Sequence, residues 1–271
     1  MWRKLWMVSC LFVVLFHGQG FAAGLASNKN FIVLSPPVPS QAAAQRFAEK
    51  IAEEANDLRK KISTDWLGEP LPDHIGRTTV NVQFSDEPDS ALTWAKDKPN
   101  RRFHSIYLKT PQSETVALGL AHEVAHAVLA TKFPHPNRLP AWVEEAIACR
   151  YDDETRIRKR NVVLASMVRT RNWPNLESIL TAKNISSRDA SAYAVSCSVA
   201  DYLLSKGDKS KFIEFAKHIP KNGLGNALQT TYEITGTADL ETRWQKWVVA
   251  TQLRPPAGKF ASYRTGREQR D

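Results

Sequence analysis

The chain has 271 residues, 42% of them apolar and 24% charged, with a net charge of +9. That length and balance allow one or two globular domains with a sizeable core and exclude a disordered, collagen-like or low-complexity chain. The one long apolar run, residues 5–16, is too short to span a bilayer, which excludes a polytopic membrane protein, and three cysteines do not make a disulfide-dense miniprotein.

Residues 1–23 read as a secretory signal. Arg3 and Lys4 precede the apolar run, and small residues from Gly20 to Ala23 follow it as a cleavage region. The expected location is therefore secreted or periplasmic. Only Cys149 and Cys197 remain after cleavage; export allows them to pair, and two separate buried thiols are the alternative. Residues 24–253 are expected to form a single domain. Residues 254–271, with Pro255, Pro256, Gly258 and five basic residues against two acids, are expected to form a flexible basic tail.

Ser40, after the proline-rich stretch 35–39, is placed to cap a helix. Ala44, Phe47, Ala48, Ile51, Ala55, Leu58 and Ile62 follow at three- and four-residue spacing and give that helix one apolar stripe. Residues 78–84 alternate with period two and predict a strand with Val80, Val82 and Phe84 inward; Phe103 to Leu108 predicts a second strand. Pro88, Pro99 and Asn100 between them predict a loop. Helices are predicted over 114–131, 140–150, 153–170, 189–206, 208–218 and 238–252. Strands first and helices afterwards give an α+β fold class: a small N-terminal β-sheet with helices, then a mostly helical C-terminal lobe.

The sharpest chemical signal is His122-Glu123-Val124-Ala125-His126. On a helix, positions i and i+4 lie on one face, so both imidazoles can hold one Zn²⁺, with Glu123 in reach of a metal-bound water as general base. The segment around them is apolar, and three ionisable side chains buried there are costly unless they pair or bind metal. A catalytic zinc needs a third protein ligand, and Glu144 and Glu145 are the nearest acids downstream.

With these residues the chain resembles the gluzincin metallopeptidases, the group holding thermolysin and the aminopeptidase-N-like enzymes. In that group a second helix supplies the third ligand, commonly as Trp-x-x-Glu-Gly-x-Ala. The matching string is Trp142-Val143-Glu144-Glu145-Ala146-Ile147-Ala148, with Ala146 where the family usually has Gly. The resemblance thus implies Glu145 as third ligand, with eighteen residues between it and His126, and a zincin-like domain binding one Zn²⁺. It also implies that Tyr193, opening a later helix, donates to the oxyanion; a core tyrosine is the alternative reading. Asp239-Leu240, Trp244 and Trp247 resemble the family's closing helix. In the same group an edge strand before the zinc helix pairs with extended substrate, a place that Phe103 to Leu108 would take. The Gly-x-Met-x-Asn strand of aminopeptidase-N-like enzymes has no counterpart, which argues against aminopeptidase action.

The implied activity is an exported zinc-dependent peptidase acting on peptide or protein substrates through a water activated by Glu123. The alternative is a gluzincin-like domain that binds peptide or an anionic envelope polymer with little turnover. Arg156, Arg158, Lys159, Arg160, Arg169 and Arg171 form a basic segment without interleaved aromatics. It predicts a solvated helix face that permits contact with an anionic cell envelope, and not a nucleic-acid site. His135 is expected in a surface loop.

Overall fold

The computed structural model describes residues 23–36, 40–87, 89–94, 103–111 and 119–252, without the side chains of 91–94, 103 and 252. The expected signal segment up to residue 22, the expected basic tail and the start of the helix expected from 114 lie outside these residues. Within them, no helix is long and apolar enough to cross a membrane.

The fold is α+β, a mixed sheet with helices followed by a mostly helical C-terminal part. Five strands, β1 (Leu25–Ser27), β2 (Phe31–Leu34), β3 (Arg77–Phe84), β4 (Asp89–Trp94) and β5 (Phe103–Thr110), lie in the order β1-β2-β3-β5-β4. β2, β3 and β5 run parallel, and β1 and β4 flank them antiparallel. The period-two pattern of β3 buries Thr78, Val80 and Val82, and β5 buries His104, Ile106 and Leu108 on the same alternation. Phe84 is half-buried, edge-on to Phe47 with ring centroids 5.5 Å apart.

Between β2 and β3 runs α1 (Gln41–Leu67), which covers the sheet with the stripe expected of it: Ala44, Ala48, Ile51, Ala55 and Ile62 are buried. Ser40 caps it by accepting from the Ala43 amide, and Gly68 ends it in the left-handed conformation, φ +80°. The buried Arg59 of this helix donates to the carbonyls of Leu71, Pro72 and Ile75 and so fixes the turn that leads into β3.

The sheet corrects two expectations. The segment after Pro88, predicted as loop, forms β4, held by backbone pairing to β5 from Asp89↔Lys109 to Trp94↔His104. In consequence β5 is not an edge: β3 occupies one side of its backbone and β4 the other. An extended peptide cannot pair with Phe103 to Leu108; among the described residues the open edge on this side belongs to β4.

The helical part contains α2 (Leu120–Lys132), α3 (Ala141–Ala148), α4 (Glu154–Thr170), α5 (Leu176–Leu180), α6 (Ala190–Leu204), α7 (Lys209–Asn222), α8 (Leu224–Tyr232) and α9 (Gly236–Gln252). One turn of 3₁₀ helix, Cys149–Tyr151, joins α3 to the approach of α4. The short helices α5 and α8 were not expected from the sequence. α2 is buried nearly all round, with Leu120, Val124, Ala125, Val128 and Leu129 in the core. Trp142 of α3 is fully buried against Phe212 and Phe215 of α7, ring centroids 6.1 and 6.3 Å away. Trp244 of α9 is equally buried and donates its Nε1–H to Ser198 of α6 at 2.9 Å. A single contiguous cluster of buried side chains links sheet and helices.

Candidate metal centre

Three helices converge where the sequence placed its chemistry. α3 packs on both α2 and α6, and the 3₁₀ turn after α3 packs on α2 as well. His122 and His126 sit one turn apart on α2, rings edge-to-face with centroids 4.9 Å apart and Nε2 atoms 3.1 Å apart. Glu145 of α3 brings its Oε2 to 3.6 Å from His122 Nε2 and 3.5 Å from His126 Nε2. That buried oxygen has no hydrogen-bond partner. Glu144 turns the other way: its buried carboxylate accepts from Arg138 Nη2 at 2.8 Å. Of the two acids, Glu145 is the one whose carboxylate faces the imidazoles.

This donor set suits a divalent cation. Two donors about 2.0–2.1 Å from one zinc at the tetrahedral angle stand about 3.3–3.4 Å apart, and the observed separations of 3.1, 3.5 and 3.6 Å lie around that length. Electrostatics point the same way. Burial opposes protonation of His122, but the Asp152 and Glu145 carboxylates outweigh it and carry its pKa up to about 10. Burial also opposes ionisation of Glu145, and the two imidazoles overcome it, holding the carboxyl well below the usual carboxylate range.

Asp152, which the sequence reading did not single out, completes the centre. Its carboxylate receives the His122 Nδ1–H at 3.0 Å. That contact fixes the tautomer and leaves the Nε2 lone pair facing His126 and Glu145. Asp152 is in turn held by Arg160, which also donates to the Cys149 carbonyl at 2.9 Å, and by Arg156 at 3.4 Å. A second grouping, His122, Cys149 and Asp152, is also close enough to share an ion. It is a poorer site, because two guanidinium groups already occupy Asp152. The Cys149 thiol, moreover, has its pKa raised by a hydrogen bond with Cys197 and by burial, away from the thiolate that binds metal. The two thiols are thus neighbours, as one turn beyond Glu145 and Tyr193 would place them, and are not bridged.

The centre opens into a cleft of about 560 Å³, a size usual for ligand sites. Glu123 and Tyr193 line it together with the three donors. Tyr193 sits in the first turn of α6, which Asp189 caps through the Ala192 amide, and burial with the Glu145 charge raises its pKa above the ordinary value. Asp89 and Ser90 of β4, and Arg156, Lys159 and Arg160 of α4, line the cleft too. Half of the basic segment therefore faces the cleft, against the expectation of a solvated helix face; Arg158, Arg169 and Arg171 are exposed, as is His135. The chain matches no protein-family model and no curated protein, so the functional reading rests on the geometry of this centre.

Proposed function

We propose that the chain is an exported zinc-dependent peptidase of the gluzincin type. The observation that carries this reading is the meeting of His122, His126 and Glu145, three donors from two helices at the mutual distances of a tetrahedral ligand set. These three residues would hold the ion, and Asp152 would orient His122. Bound there, zinc supplies Lewis acidity, making water a nucleophile near neutral pH and polarising a carbonyl.

The rest of the chemistry falls to side chains of the cleft. Glu123 follows the first ligand on α2 and lines the same space. Its carboxylate takes a proton from the attacking water and returns it to the nitrogen of the departing amine. The Tyr193 hydroxyl, protonated at neutral pH, donates a hydrogen bond where negative charge develops on the former carbonyl oxygen. Among the described residues no strand pairs with the outer edge of β4, whose Asp89 and Ser90 line the cleft, and an extended substrate would add there.

A peptide-library digest tests the reading. Wild type should cleave members of the library, and Glu123→Gln should keep its fold and metal yet lose most turnover. Equal turnover by both forms removes Glu123 from the mechanism, and no cleavage by wild type favours a peptide-binding domain instead.

A further inference from the structure

The cationic wall of the cleft is left over by the mechanism. Three cations of α4, Arg156, Lys159 and Arg160, line it; of the acids that share the lining, Glu123 and Glu145 belong to the proposed chemistry, Glu144 is paired with Arg138, and Asp152 is the one these arginines meet. That acid is already shared by the His122 imidazole and both arginines. Arg160 is tied down by Asp152 and the Cys149 carbonyl. Arg156 is held less tightly, with Nη1 at 3.4 Å from Asp152 and Nε at 3.6 Å from Asp153. Lys159 is exposed at the rim and has no ion pair among the described residues. Asp89 of β4 lines the same cleft.

Arg156 is also set for contact with a ligand. Its guanidinium reaches over the start of α2 toward β4. A Cβ on Gly119 would meet Arg156 Nη1 at 3.2 Å and Ser90 Oγ at 2.8 Å, and Gly119 itself has φ +82°. The corner between strand edge, metal helix and α4 is thus filled by a guanidinium, separated from His122 only by the Asp152 carboxylate. An extended peptide advances about 3.3 Å per residue. A chain lying along β4 at Ser90 therefore passes Arg156, which shares the Gly119 corner with Ser90, and Lys159 lines the same cleft.

We propose that the cleft selects peptides bearing a carboxylate one or two residues from the scissile bond, with Arg156 and Lys159 as its recognition pair. This rests on the peptidase reading for the word scissile, though not for the binding preference itself. The carboxylate has two sources, an Asp or Glu side chain and a free C-terminus. Guanidinium and ammonium groups serve both, the guanidinium by a paired hydrogen-bond fork and the ammonium as a point charge.

The test measures binding of four short peptides to full-length Glu123→Gln, so that turnover does not interfere, alongside hydrolysis by wild type. The peptides share one neutral sequence. One is C-terminally amidated, one has a free C-terminus, one is amidated with a Glu near the centre, and one is amidated with a Lys there. At least one carboxylate peptide should bind about tenfold or more tighter than the neutral amide, and the preference should shrink in high salt. A gain confined to the free C-terminus assigns the terminal carboxylate, and a gain confined to the Glu peptide assigns a side chain. Lys159→Glu should reduce the preference and improve the Lys peptide. Equal binding of all four, tighter binding of the Lys peptide by Glu123→Gln itself, or no binding overturns the inference, and cleavage by wild type in that case leaves the peptidase reading standing. A carboxylate preference without any cleavage supports the inference and counts against the peptidase reading alone.

Discussion

At the scale of single residues, the two histidines and Glu123 are legible because their geometry is local: a spacing of four on a helix is contact by construction. Glu145 needs more. Spacing alone leaves Glu144 equally eligible, and the difference emerges only when Arg138 folds back onto Glu144. Asp152 carries no spacing signal, since the turn of 3₁₀ helix at Cys149–Tyr151 is what returns the chain to His122. Its role predicts a partial phenotype. Asp152→Asn should retain the fold and bind zinc about 10–100-fold more weakly in competition with a chelator; unchanged affinity would show that His122 needs no orientation. Tyr193 predicts the complementary pattern. Tyr193→Phe should keep its zinc and lose about 10²–10³ in kcat, the usual cost of one oxyanion donor. A change in zinc affinity with normal kcat would make it a packing residue.

Among the elements, those with a strong hydrophobic period were readable. α1, α4, α6, α7 and α9 form close to where three- and four-residue spacings put them, and β3 follows its alternation. β4 was not readable. An edge strand is held chiefly by backbone pairing, here to β5, and Pro88 together with the polar residues around it resembles a loop. α8 repeats Leu224, Ala227, Leu228 and Tyr232 at helical spacing but is only nine residues long and contains Gly225, which weakens its propensity. Contacts between elements give a prediction of their own. Asp65 near the end of α1 receives the Tyr151 hydroxyl at 2.7 Å and the Lys209 ammonium, linking α1 to the 3₁₀ turn and to α7. Burial raises its pKa, and the hydrogen bonds from Lys209 and Tyr151 with the charges of Lys209 and Lys61 more than reverse this, leaving it below the ordinary 3.8. A carboxyl with a lowered folded-state pKa stabilises above its unfolded value and loses that contribution as pH falls through the folded one. Asp65→Asn should therefore cost up to about 1 kcal/mol at neutral pH, a modest figure because the pair is a third exposed and screened. Urea unfolding should show this gap shrinking below pH 3.8; a gap of the same size at pH 7 and pH 3 would contradict the assignment.

For the whole molecule, the sequence yields the class, sheet with helices followed by helices, and not the assembly. Which helices touch depends on long-range packing: Trp142 of α3 locks into Phe212 and Phe215, about seventy residues downstream. The proposed metal ligands thus stand on helices braced by the C-terminal part of the chain, and a ligand that binds only the folded form stabilises it by mass action. The measurement that bears most directly on the account is therefore the metal content of the folded, full-length chain after equilibration with zinc and removal of the excess. The account predicts about one tightly held zinc per chain in wild type, in Glu123→Gln and in Glu144→Gln, and loss of that zinc in Glu145→Ala. A wild-type chain that takes up no zinc, or a Glu145→Ala chain that keeps it while Glu144→Gln does not, would contradict the central claim.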